Sequence, residues 1–130
     1  MKKKDHIAYW LKSAEQDLAV VESLFQAKQY SWCLFVGHLV LEKTLKAIFV
    51  DKVSNEIPPK THNLLKIAEL AQINLSWEQK ILLDEINDFN LEARYPDYKF
   101  AFYKRCTMDY TKKYLKHIKE QYKWFRSLIQ

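Results

Sequence analysis

The stretch from Trp32 to Val50 reads WCLFVGHLVLEKTLKAIFV. Its length approaches that of a membrane span, but His38, Glu42, Lys43 and Lys46 interrupt the second half, and ionisable side chains are costly inside a bilayer. A segment apolar on nearly every side fits a helix enclosed by other helices. The expectation is a central helix from Tyr30 to about Val50 in a soluble bundle, with no membrane contact.

On its N-terminal side, Ile7, Leu11, Ala14, Leu18, Val21 and Phe25 recur at alternating spacings of four and three, which predicts a first helix from about Asp5 to Ala27 packed by that stripe. On its C-terminal side, residues 51–60 end in Pro58-Pro59, whose fixed φ and missing N–H groups oppose a helix and mark the main loop. Thr61 can then N-cap a third helix through about Ala71, with Leu64, Leu65 and Ala68 inward. Ser76-Trp77-Glu78-Gln79 has the form of a capping box and opens a fourth helix carrying Leu82, Leu83, Ile86, Phe89 and Ala93, with Pro96 at its end. A last helix is expected from about Tyr103 to Leu128, with Met108, Leu115, Ile118, Tyr122, Phe125 and Ile129 on one stripe and Thr111 as its one polar member. The fold class read from this pattern is all-α, an up-and-down bundle of four to five helices in a single domain over residues 1–130.

Composition agrees with that reading. A chain of 130 residues that is 48% apolar can bury a core without disulfides or metals. Its single glycine leaves few places for turns that need positive φ, so long helices are favoured over hairpins. The same scarcity rules out P-loop, dinucleotide-binding and nucleophile-elbow motifs, all of which need several glycines. Cys33 and Cys106 are far apart in the chain and fit no metal spacing, which reads as reduced thiols in a cytoplasmic protein. The basic start, Met1-Lys2-Lys3-Lys4, is followed by no apolar run of a secretory signal. No metal site or cofactor is expected, since no two histidines share ligand spacing. A net charge of +5 permits an anionic partner.

Three landmarks stand in order along this framework: Glu42-Lys43-Thr44-Leu45-Lys46-Ala47 on the buried helix, Thr61-His62-Asn63-Leu64 before the third, and Ala93-Arg94-Tyr95-Pro96-Asp97 closing the fourth. With Trp10-x-x-x-Ala14-x-x-Asp17-Leu18 in the first helix, the ordered set resembles the HEPN family (higher eukaryotes and prokaryotes nucleotide-binding) over nearly the whole chain. The resemblance implies a helical bundle that commonly dimerises and is often encoded beside a minimal nucleotidyltransferase. Family members include ribonuclease toxins, non-catalytic partners of nucleotidyltransferases, and modules proposed to bind nucleotide or RNA. Ribonuclease members carry an Arg followed, after four to six residues, by a His. Here the corresponding residues are Lys99, Phe100 and Ala101 after Arg94, and Tyr110, Thr111 and Lys112 after Arg105. Cleavage without a metal generally needs a group of near-neutral pKa for the 2′-hydroxyl proton, so this departure argues against turnover by the family's route.

Several residues carry both a functional and a structural reading. His38, Glu42 and Lys46, at i, i+4 and i+8, form a polar stripe on the apolar helix. They are either a nucleotide- or phosphate-contacting set, with Lys46 or Lys43 oriented by Glu42, or a structural Glu–Lys pair at the bundle edge. Arg94, Tyr95 and Asp97 suit contact with a base or phosphate, and equally an Arg94–Asp97 or Arg94–Glu42 ion pair that pins the loop. His62 stands near helix N-terminal amides, where an anion can bind or a loop can be anchored. Lys112, Lys116, Lys119, Lys123 and Arg126 form a basic stripe flanked by Tyr110, Tyr114 and Trp124, which is either a surface for RNA or a solvated face over core aromatics.

Three functions follow from these readings. The first is a non-catalytic HEPN module that forms a homodimer and partners a separately encoded nucleotidyltransferase, with nucleotide or RNA as ligand. The second is a diverged ribonuclease toxin of a toxin–antitoxin pair, using Arg94 with His62 or His38. The third is a purely structural interaction module.

Overall fold

The computed structural model describes residues 1–129, apart from the side chains of Pro96 and Asp97. Six helices follow one another: α1 (Lys3–Gln26), α2 (Tyr30–Lys52), α3 (Leu64–Leu70), α4 (Trp77–Arg94), α5 (Pro96–Arg105) and α6 (Met108–Ser127). There is no strand among the described residues. The chain is an all-α helical bundle.

Helix α2 touches each of the other helices, because apolar side chains on all its faces leave none to turn toward water. Leu34, Leu41, Leu45 and Ile48 of α2 are fully buried among Val21 of α1, Leu64 and Ile67 of α3, Leu83, Ile86 and Phe89 of α4, Phe102 of α5, and Ile118 and Phe125 of α6. The capping box opens α4: the Ser76 hydroxyl accepts from the Gln79 N–H at 3.1 Å, and the Ser76 N–H donates to the Gln79 side chain at 2.9 Å.

The expected last helix, from about Tyr103, begins instead at Met108, and residues 96–105 before it form a helix of their own, which brings the total to six. Pro96 stands at the start of α5, where its missing N–H removes no helical bond, and Tyr95, extended as a residue before proline tends to be, ends α4. One proline therefore both stops a helix and starts the next. The break at Cys106-Thr107 follows from Thr107, whose extended backbone and hydroxyl, accepting from the Tyr110 N–H at 3.2 Å, cap α6. The cap of α3 is also displaced, from Thr61 to Asn63, whose side chain accepts from the N–H groups of Leu65 and Lys66. Thr61 instead turns the segment before the cap, accepting from the Asn63 N–H at 3.1 Å.

Positive φ occurs in spite of the scarcity of glycine. Lys28 and Gln72 take φ of 60° and 61° at the ends of α1 and α3, where left-handed residues let the following N–H groups return to open carbonyls, Gln29 to Leu24 and Ile73 to Ala68. The one glycine serves a different purpose. A Cβ on Gly37 would lie 2.9 Å from the terminal methyl of the fully buried Ile118, so the hydrogen at Gly37 sets how closely α6 approaches α2. Gly37→Val is expected to lower stability by about 1–3 kcal/mol through overpacking, read as a lower urea midpoint at unchanged m value.

Candidate functional site

The polar stripe of α2 lies beneath residues 61–64, the segment that leads into α3. Glu42 is 5% exposed, and its two oxygens are divided between partners. One meets Nδ1 of His62 at 2.8 Å, and the other accepts from Nζ of Lys46 at 3.0 Å. A carboxylate this deep is stable only with such partners. One comes from its own helix and the other from a residue 20 positions along the chain, so the pair of bonds fastens the loop to the central helix. Lys46 also lies over the ring of Trp10, 5.4 Å from its centroid, which gives the ammonium a second favourable neighbour.

His38 is fully buried. Its Nε2 donates to the carbonyl of His62 at 2.8 Å, which assigns the proton to that nitrogen and leaves Nδ1 as an acceptor. The Asn90 amide approaches Nδ1 at 3.4 Å. Burial pushes the His38 pKa down to about 4, against the opposing pull of Glu42, so at neutral pH the ring is an uncharged strut. Nearby, Asn87 accepts from the Leu64 N–H at 2.8 Å and donates to the Asn63 side chain at 3.0 Å, closing the network between α3 and α4.

Arg94 belongs to the same neighbourhood through one intermediary. Its Nε donates to the Asn90 carbonyl at 3.2 Å, and its guanidinium lies 5.5 Å from the centroid of Tyr95. Asn90 thus touches both Arg94 and His38. Arg94 and Glu42 form no ion pair among the described residues, and an Arg94–Asp97 pair lies outside them, since the Asp97 side chain is not described. Lys43 points elsewhere and pairs with Asp17 of α1 at 2.6 Å.

The basic stripe of α6 is partly committed to α1. Lys119 pairs with Glu22, and Arg126 bonds Glu15 at 3.0 Å and the Tyr122 hydroxyl at 2.8 Å. Lys112, Lys116 and Lys123 are exposed without a carboxylate partner among the described residues. Tyr110 and Tyr114 pack against Phe89 in the core, with Tyr114 donating to Glu85. Trp124 remains at the surface of that helix.

Asn63, Asn87 and Asn90 were not singled out by sequence reasoning. Asn90 carried a readable signal, since it falls on the stripe of Leu83, Ile86 and Ala93, where an amide among apolar residues implies a buried partner. Asn63 and Asn87 had none, because Asn is ordinary at a helix start and on a half-exposed face.

The chemistry on offer is a histidine resting on a buried carboxylate. The His62 side chain is 56% exposed. With Nδ1–H directed to Glu42, the neutral ring keeps Nε2 as its basic nitrogen. No group of three or more His, Cys, Asp or Glu residues suited to a metal occurs among the described residues, and no described helix is long and apolar enough to cross a membrane.

A bundle built around a buried helix, with a His–Glu–Lys network under the α3 entry and an arginine at the end of α4, defines a small all-α domain. A model of the HEPN domain family matches residues 7–128, and the chain belongs to that family. Comparison with curated proteins and with solved structures returns no match.

The buried imidazole makes stability depend on pH. Unfolded, His38 takes a proton near pH 6.5, whereas folded it resists until about pH 4. The stabilisation is complete above pH 6.5 and lost as pH falls toward 4, by about 3 kcal/mol in all. Urea midpoints followed from pH 7 to pH 5 are expected to fall more steeply for the native chain than for His38→Gln. Parallel curves would refute the assignment.

Proposed function

We propose that the chain is a non-catalytic HEPN module that dimerises and works with a separately encoded nucleotidyltransferase, with nucleotide or RNA as its ligand. The observation that carries this reading is the arrangement around Arg94. His38 is buried and held through both ring nitrogens, His62 is tied to Glu42, and neither imidazole bonds the guanidinium among the described residues. Proton transfer and charge stabilisation must act on the same phosphodiester, and here Asn90 stands between the guanidinium and the His38 ring. Exposed Trp77 and Ile81, one turn apart on α4, offer apolar surface to a partner. A cytoplasmic setting accords with two unpaired thiols, Cys33 and Cys106, whose burial pushes both pKa values up to about 12.

The diverged ribonuclease is the second reading, favoured by His62 itself: an exposed imidazole on a buried carboxylate is a workable general base. The test is the purified full chain incubated with structured and single-stranded RNA, together with Arg94→Ala and His62→Ala. The expected result is no cleavage above background in any of the three and a dimer by light scattering. Cleavage by the native chain that both substitutions abolish would establish the ribonuclease instead.

A further inference from the structure

Helices α4 and α6 run antiparallel and meet through side chains. Gln79 donates to Gln121 at 3.0 Å, Tyr114 donates to Glu85, and Phe89 packs edge-on against Tyr110 and Tyr114, so positions rise along α4 as they fall along α6. Between the two helices lies a groove of about 410 Å³. Ile81 and Leu82 give it an apolar strip, Glu78 and Glu85 line its α4 side, and Lys113 and His117 line its α6 side. Opposite charges thus stand on the two sides, yet no ion pair joins them among the described residues. The Glu85 carboxylate takes the Tyr114 hydroxyl, and the Lys113 ammonium lies 5.4 Å from the Tyr114 ring centroid. Trp77 stands one turn before Ile81, and the two are 70% and 45% exposed. A large ring left in water beside a groove marks a contact surface.

An occupant that satisfies both sides must be elongated and carry both signs of charge. Glu78 and Glu85 are about 10.5 Å apart along α4 at 1.5 Å per residue, and a helix nearly repeats its face over that same interval of seven residues. A docked helix with basic residues at i and i+7 on one flank therefore meets both carboxylates. Its apolar stripe then seats over Ile81 and Leu82, and acidic residues on the other flank meet Lys113 and His117. The helices of this chain do not supply such a face. The exposed apolar stripe of α4, Trp77, Ile81 and Leu91, is interleaved with Asp84 and Asp88, so a second copy laying it in the groove would set carboxylates against Glu78 and Glu85. Helix α5 sets Lys99 and Lys104 beside its exposed rings, which would oppose Lys113 and His117. The exposed apolar residues of α1 and of α6, Tyr9 and Val20, Met108 and Trp124, stand about three turns or more apart. Charge complementarity therefore favours a different protein over a second copy.

We infer that the groove between α4 and α6 receives an amphipathic helix of a partner protein, basic on the flank toward Glu78 and Glu85 and acidic on the flank toward Lys113 and His117. Trp77 and Ile81 are its apolar anchors. The surface is separate from the His38–Glu42–Lys46 network, whose charges are matched within the chain. It specifies where and by what chemistry a partner docks, and rests on the proposed function only for the existence of a partner protein.

Synthetic peptides of about 20 residues, long enough to hold a helix, test it with the full chain. Each carries a leucine stripe; one has lysine on one flank and glutamate on the other, a second has lysine on both, and a third has glutamate on both. Exchanging the flanks only reverses the direction of the docked helix, so the uniform peptides are the controls. Binding is read by fluorescence anisotropy of labelled peptide at concentrations where each peptide is monomeric. The mixed peptide is expected to bind saturably, at least about tenfold tighter than either uniform one. Trp77→Ala, at an exposed position, is expected to weaken it about tenfold. Lys113→Glu, also exposed, is expected to shift the preference to the all-lysine peptide, an exchange that a structural role would not produce. Thermal unfolding of each variant verifies the fold. Absence of saturable binding, equal binding of a uniform peptide, or indifference to both substitutions would overturn the inference. A dimer of the native chain that the mixed peptide dissociates and Trp77→Ala abolishes would assign the groove to a second copy, overturning it while leaving the proposed function standing. RNA cleavage dependent on Arg94 would overturn the proposed function and leave the groove.

Discussion

A carboxylate on the most enclosed helix is the constraint around which this molecule is arranged. A carboxylate buried in an apolar bundle needs hydrogen-bond donors, and the helix that carries Glu42 supplies one, Lys46. The second arrives from His62, which obliges the chain after Pro59 to cross α2 before α3 begins. The His62 carbonyl then receives the proton of the fully buried His38, so a single residue of the loop satisfies two ionisable side chains of the helix. Because α3 starts two residues later and is capped by Asn63, its placement on the bundle is tied to the same pair of bonds.

The network extends toward the end of α4 without merging with it. Asn90 faces His38 through its side chain and receives Arg94 on its carbonyl. It thereby keeps the guanidinium one residue away from the nearest imidazole. Asn55 anchors the other end of the same loop to the chain start, through His6 and the Met1 carbonyl, so the loop is held at both of its ends.

Along α2 the two ends have opposite characters. The middle is crowded and self-satisfied, with every charge matched by a neighbour. The beginning has no side-chain cap, and the Lys99 ammonium lies beside it, 4.9 Å from the Trp32 ring centroid.

Much of this architecture was legible in the residues themselves. The enclosed helix, the stripe of α1 and the capping box of α4 rest on local periodicity and local hydrogen bonding, which act within a few residues and are therefore written in adjacent letters. The division of the last segment into α5 and α6 was missed because a threonine reads alike inside a helix and at its cap until the backbone direction is known. The Glu42–Lys46 pair was among the sequence readings, but the bond from His62 to Glu42 and the contact of His38 with Asn90 were beyond the sequence for a further reason. They join positions 20 to 52 residues apart, and only packing decides which distant polar groups meet. Sequence alone established that His38, Glu42 and Lys46 share one face of a buried helix; the tertiary structure chose His62 to complete them, because burial leaves no water to do so.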